Sequence, residues 1–76
     1  MNVAGRHPAT VAIARYFEYD HLPPYLQAVA KPAADTAQSM IDALPDGTEL
    51  TVGLRKLLEA KDCFVRAALP IRKSLA

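Results

Sequence analysis

Apolar residues recur at intervals of three and four along most of the chain, which is the period of α-helices. No window alternates convincingly between apolar and polar residues, so strands are not predicted. Prolines divide the helical pattern: Pro8 suits the first turn of a short helix that runs to about Tyr19. Pro23 and Pro24 end that element and open the next. The pattern predicts an all-α protein with three helices.

The second helix is predicted from about Pro24 to Leu44, where the sequence Leu-Pro-Asp-Gly forms a turn. Proline inside a helix removes a backbone hydrogen bond, so Pro32 predicts a kink or break near Lys31. The predicted helix-pairing seam, with small residues that allow close approach, consists of Leu26, Ala30, Ala33, Ala37, Met40 and Leu44.

The third helix is predicted to begin near Thr48, with Asp46 or Thr48 as its cap, and to end at Pro70. A second strip of small residues, Ala60, Cys63 and Ala67, runs beside its apolar stripe. A helix with two packing faces can contact two neighbours, which points to self-assembly. The predicted stripe comprises Leu50, Leu54, Leu57, Leu58, Phe64, Val65, Ala68 and Leu69.

Lys61 interrupts that stripe, where a fully buried and unpaired ammonium would be costly. Two interpretations are open. Its stem packs while the charge reaches the surface, or the side chain faces a polar cavity between protomers.

The chain has 76 residues, which predicts one domain spanning residues 1–76 near the lower size limit for independent folding. Half the residues are apolar, and the single cysteine excludes an internal disulfide framework. The remaining sources of stability are a tight helical core or burial against further copies of the same chain, and we expect a homo-oligomer. The net charge of +1 argues against binding long nucleic acid through its phosphates.

The longest apolar runs are only a few residues, so no membrane partner is expected. The absence of a secretory pattern and the lone thiol predict a reducing cytoplasm. His7, His21 and Cys63 lack metal-ligand spacing, and no nucleophile or phosphate-loop motif is present. We therefore predict neither a metal nor a cofactor, and no enzymatic activity.

The stretch RYFEYDHLPPYLQAVAKP concentrates rings and cations within Arg15–Pro32. One interpretation is that the rings fill the corner between two helices. The other is a pocket wall in which a flat base stacks on a tyrosine while cations meet its phosphates. Tyr16 and Tyr19 approach each other on the first helix, His21 follows in the link, and Lys31 lies near the predicted break.

The segments YDHLP, LQAVAKP and LLEAKDC, in that order across residues 16–69, resemble a family of small phage anti-defence proteins. These proteins sequester the cyclic oligonucleotides of a bacterial anti-phage signalling system, CBASS. The resemblance implies a non-catalytic sponge, an all-helical homohexamer of interlocked pairs, in the cytoplasm of an infected bacterium. Its partners would be cyclic dinucleotides of the cyclic GMP-AMP type, with cyclic trinucleotides such as cyclic tri-adenylate at a second site.

Matched by position, the resemblance implies that Tyr16 stacks on the base and Lys31 holds a phosphate between protomers. The arginine that completes the site is either Arg66 or Arg72. A competing hypothesis from another functional class is a small helical adaptor that binds a host protein through the apolar face or the small-residue face.

Overall fold

A computed structural model describes residues 1–75, with side chains described as far as Ile71. In chain order it contains α1 (Pro8–Ala14), a 3₁₀ turn (Arg15–Phe17), α2 (Pro24–Ala43) and α3 (Thr48–Leu75). No strand occurs among residues 1–75. The predicted all-α class, with a short first helix and a long third one, is confirmed.

The first helix begins as predicted and ends early. His7 precedes it, and its Nδ1 atom accepts a hydrogen bond from the backbone N–H of Ala9 at 3.0 Å. Ala14 rather than Tyr19 is the last α-helical residue, since the next three residues tighten into the 3₁₀ turn. Phe17 in that turn is only 1% exposed, so the tightening coincides with burial of an aromatic ring.

The core lies where α2 and α3 pack together and α1 crosses α3. The short 44–47 connection makes α2 and α3 antiparallel neighbours. Residues from all three helices and the 3₁₀ turn form one buried cluster: Ile13, Ala14, Phe17, Ala34, Ala37, Ile41, Leu50, Leu54 and Leu58.

The buried face of α2 and the predicted helix-pairing seam differ in which residues of the helix point toward the core. Leu26, Ala30 and Ala37 are buried as predicted. Ala34 and Ile41 complete the face, whereas Ala33 is half-buried and both Met40 and Leu44 are exposed. Ala33 still packs against the edge of the core, whereas the prediction was wrong at Met40 and Leu44. Leu44 lies just beyond the end of α2, and at 40–41 two apolar residues stand side by side. A shift of one residue turns the helix by about 100° and exchanges one partner for the other.

Both internal prolines lie within helices. The helix α2 is continuous through Pro32, so its backbone is not broken there, and the kink stays a prediction. The predicted end at Pro70 is wrong, because α3 continues to Leu75. Proline removes one N–H donor, but its fixed φ is compatible with a helix, so the helix need not stop.

The stripe predicted on α3 is buried in part. Leu50, Leu54, Leu58 and Ala68 are buried, and Leu57 and Val65 are half-buried. Phe64 and Leu69 are 61% and 47% exposed, so the prediction was wrong for these two. The side chains of Phe64 and Leu69 lie to the side of the α3 face that contacts α1 and α2.

Lys61 has 13% of its side chain exposed, and its Nζ lies 2.9 Å from Asp62 Oδ1. The ammonium therefore has a counter-charge within its own protomer. The alternative of a polar cavity between protomers stays a prediction.

Candidate functional site

The aromatic segment divides between core and surface. Phe17 belongs to the core, and Tyr19 is half-buried against it. Tyr16, between Arg15 and Phe17 on the 3₁₀ turn, is 59% exposed. Packing accounts for two of these rings, whereas the large exposed ring of Tyr16 is open to a ligand or a partner.

Lys31 lies on the exposed side of α2, one turn before Asp35. Its Nζ is 2.6 Å from Asp35 Oδ2, and both side chains are more than half exposed. The hydrogen bond and charge of Asp35, with a smaller contribution from Tyr19, raise the pKa of Lys31. Lys31 is therefore a cation at neutral pH, and in the isolated protomer it is already paired.

The 3₁₀ turn packs against α2, so the elements that carry Tyr16 and Lys31 are neighbours. Tyr19 is close enough to Lys31 to influence its ionisation. The ring and the cation both remain exposed on these contacting elements. This arrangement is the candidate site, and it is an open surface.

His21 lies exposed in the link between the 3₁₀ turn and α2. Gln27 braces that link, since its Nε2 donates to the carbonyl oxygens of Leu22 at 2.8 Å and Asp20 at 3.3 Å. Sequence reasoning missed Gln27, because a surface glutamine carries no periodic signal. The brace holds the segment from which His21 projects.

The two candidate arginines lie on α3. Arg66 donates from Nη2 to Cys63 Sγ at 3.3 Å. Arg72 has no described side chain, so its assignment lies outside the described residues. Within residues 1–71, no hydrogen bond or ion pair joins Arg66 or His21 to Tyr16 or Lys31. A single protomer thus links the 3₁₀ turn with α2 but does not connect Arg66 to them.

A shallow depression of about 210 Å³ lies beside Lys31, and its charge is negative. Glu18, Asp20 and Asp35 line it, together with Met1, Phe17, Tyr19, Ala34 and Gln38. Three carboxylates disfavour a phosphate inside this depression. The side of Lys31 that faces away from this depression is the one open to an anion.

A second polar cluster ties the N-terminus to the 44–47 turn. Asp46 accepts hydrogen bonds from Arg6 Nε at 3.1 Å, from the His7 backbone N–H at 3.1 Å and from Thr10 Oγ1 at 2.8 Å. The bond from Thr10 is the largest cause that lowers the pKa of Asp46. Arg6 also donates to the carbonyl oxygens of Ile41, in the last turn of α2, and of Leu44, the residue just after it. We call these contacts the Asp46 clamp.

The clamp occupies one of the two residues predicted to cap α3. The Asp46 carboxylate accepts from Arg6, His7 and Thr10 and not from the first N–H groups of α3. The first backbone hydrogen bond of α3 runs from the Thr51 N–H to the Gly47 carbonyl oxygen at 3.1 Å. The clamp spans roughly half the chain, which is why the spacing of residues gave no signal for it.

Across the described part of the chain, no group of three or more His, Cys, Asp or Glu residues is placed to hold a metal ion. None of the described helices is both long and apolar enough to cross a membrane. Compared with protein-family models, curated proteins and solved structures, the chain matches none of them.

Proposed function

We propose that this protein sequesters cyclic oligonucleotide second messengers without cleaving them. The ligand class is cyclic dinucleotides of the cyclic GMP-AMP type, with cyclic trinucleotides as a second candidate. By removing the messenger, the protein would block CBASS signalling in an infected bacterium. The family resemblance of the sequence supplies this hypothesis, and the surface chemistry around Tyr16 and Lys31 supports it.

The observation that carries the proposal is an exposed ring and an exposed cation on two elements in contact. A base stacked on a tyrosine gains about 1–3 kcal/mol. An ammonium meets a phosphate as a point charge. Tyr16 and Lys31 supply these two groups while Phe17 holds the 3₁₀ turn in the core. A cyclic dinucleotide presents two bases and two phosphates, so two copies of this surface would match its two halves.

Lys31 must exchange one anion for another when it binds a phosphate. The exposed pair with Asp35 is held in high dielectric and is worth little, about 0–1 kcal/mol for such pairs. A phosphate that offers a second contact to the ring can therefore displace Asp35. With a net charge of +1, such local placement is the form of anion binding that this chain can support.

The proposal is tested by calorimetric titration of cyclic GMP-AMP into the protein and its variants. We expect Tyr16→Ala to weaken binding about tenfold or more, whereas Tyr16→Phe keeps the stacking face and most of the affinity. We expect Lys31→Ala to weaken binding to a similar degree. Lys56→Ala removes another exposed lysine, on α3, and should leave the affinity unchanged.

Equal affinities for the wild type, Tyr16→Ala and Lys31→Ala would contradict the site. Absence of binding to both cyclic GMP-AMP and cyclic tri-adenylate would contradict the function. The exposed apolar side chains of Met40 and Leu44 would then favour the alternative, a helical adaptor for a host protein.

A further inference from the structure

A single side chain on α2 holds the link that joins the two elements of the candidate site. Residues 18–23 form this link, from the end of the 3₁₀ turn to the start of α2. The Nε2 atom of Gln27 donates to the Leu22 carbonyl oxygen at 2.8 Å and to the Asp20 carbonyl oxygen at 3.3 Å. We call these two contacts the Gln27 brace.

The helix α2 fixes the position of Gln27. The backbone N–H of Gln27 donates to the Pro23 carbonyl oxygen at 3.0 Å, in the first turn of the helix, and the residue is half-buried. A helix therefore carries the donor of the brace, and the link carries the two acceptors. Loss of the donor would leave two carbonyl groups of the link without this partner, which costs free energy wherever water does not replace it.

The link itself contains a turn over residues 19–22. The Leu22 N–H donates to the Tyr19 carbonyl oxygen at 3.0 Å and closes this turn, while the Glu18 N–H donates back into the 3₁₀ turn at 3.3 Å. Pro23 has no N–H and supplies no further donor. The brace thus holds the turn against α2 through carbonyl groups that the turn's own hydrogen bond does not use.

The braced turn lies between the two groups of the candidate site. Lys31 follows Gln27 by four residues, so their side chains lie on the same side of α2, one turn apart. Tyr19, the first residue of the braced turn, packs against the core and is close enough to Lys31 to influence its ionisation. Tyr16 stands three residues before Tyr19, on the 3₁₀ turn. The position of the exposed ring relative to the cation therefore depends on how the link lies on α2.

A cyclic ligand makes this position important. Its closed backbone restricts the separation between a base and a phosphate, so the ring and the cation must already be correctly spaced. If the link were free to move, binding would have to order it, and the entropy cost would reduce the affinity. A brace that forms before the ligand arrives removes that cost.

We propose that Gln27 is a positioning residue of the messenger site, whose brace holds the link so that Tyr16 and Lys31 meet one ligand together. Gln27 acts through the backbone of the link and needs no contact with the ligand. The assignment rests on the proposed function, because it concerns the same site.

The brace is tested first without any ligand. Gln27→Met keeps a long, unbranched side chain and removes its donor group. We expect faster hydrogen–deuterium exchange of the backbone amides in the link of this variant, because the turn over residues 19–22 is no longer tied to α2. Thr51→Val is the matched control, since it removes another hydrogen bond from a side chain to a carbonyl oxygen, from Thr51 Oγ1 to Gly47 at 3.1 Å. This control should leave exchange in the link unchanged.

The positioning role is tested by calorimetric titration of cyclic GMP-AMP into the same variants. We expect Gln27→Met to weaken binding about three- to tenfold, the range that corresponds to one hydrogen bond. Thr51→Val should leave the affinity unchanged. Circular dichroism at the titration temperature checks that both variants remain helical.

A double-mutant cycle separates positioning from a general loss of stability. If Gln27 acts by placing the ring, Gln27→Met should change the affinity by less than about 1.5-fold once Tyr16→Ala has removed the ring. A general loss of stability would weaken binding by the same factor with and without the ring.

Unchanged exchange in the link of Gln27→Met would overturn the brace. An unchanged affinity, or equal factors in the cycle, would overturn the positioning role while the proposed function stands. A wild-type protein that does not bind cyclic GMP-AMP would overturn the positioning role too, and the proposed function fails with it only if cyclic tri-adenylate is not bound either. Faster exchange, weaker binding and loss of that effect without the ring are the results that the proposal predicts.

Discussion

At the scale of single residues, Lys31 is the central group of the proposed site, and Asp35 is its competitor. Their separation of four positions on a helix was visible in the sequence, and it is the spacing at which side chains meet. The pair therefore could have been predicted, unlike the Asp46 clamp, which joins residues far apart along the chain.

Removal of the Asp35 carboxylate tests whether it competes with the ligand for Lys31. Asp35→Asn leaves Lys31 charged and without its ion pair, so we expect cyclic GMP-AMP to bind about two- to fivefold more tightly, the range for loss of an exposed pair. Titration calorimetry measures the change. Asp42→Asn removes another exposed carboxylate of α2 and serves as the control. Weaker binding by Asp35→Asn would show that Asp35 contacts the ligand itself.

The Asp46 clamp should make the fold sensitive to acid. The pKa of Asp46 is lower in the folded protein than in the unfolded chain. Its contacts therefore stabilise the fold fully above the ordinary aspartate pKa of about 3.9, and this stabilisation is lost as pH falls through the folded value. We expect Asp46→Asn to lower stability at pH 7 and to reduce the loss between pH 5 and pH 2.

Urea unfolding at several pH values measures this difference. Asp42→Asn again provides the comparison, since Asp42 lies outside the clamp and accepts from Gln38 Nε2. A pH profile of Asp46→Asn that runs parallel to the wild type would show that the clamp does not contribute to the acid response.

At the scale of secondary-structure elements, prolines and apolar spacing predicted the helices because these signals are local. Pro8 and Pro24 stand in the first turns of α1 and α2, where a missing N–H has no cost. It was harder to predict which of two adjacent apolar residues faces the core. Ala33 and Ala34 are equally apolar, and only the packing of α2 against α3 selects Ala34.

Replacing Pro32 with alanine tests whether α2 is strained beside the candidate site. Its ring removes the donor that the Ala28 carbonyl would normally receive, at a cost of about 3 kcal/mol in a helix interior. Part of that cost is offset because proline also restricts the unfolded chain. We therefore expect Pro32→Ala to raise the free energy of unfolding by about 1–2 kcal/mol, measured in urea.

Pro24→Ala is the matched control, because proline is favoured at the first position of a helix. That change should have little effect or reduce stability slightly. If Pro32→Ala lowered stability as well, a strained helix beside Lys31 would be contradicted.

At the scale of the whole molecule, the described chain leaves exposed a surface that carries Tyr16 and Lys31 on neighbouring elements. The sequence predicted self-association from its apolar content and the small residues of α3. It could not predict whether an arginine joins the candidate site, and in the described chain no hydrogen bond or ion pair connects Arg66 to Tyr16 or Lys31.

The central claim is that the protein removes a cyclic messenger from solution and returns it unchanged. The most direct measurement mixes the protein with cyclic GMP-AMP or cyclic tri-adenylate, filters the protein away and quantifies free ligand by chromatography. The retained protein is then denatured and the released nucleotide is identified by mass. We predict depletion of the filtrate followed by recovery of the intact cyclic ligand. Recovery as a linear product would contradict sequestration without cleavage, and failure to deplete either messenger would contradict binding.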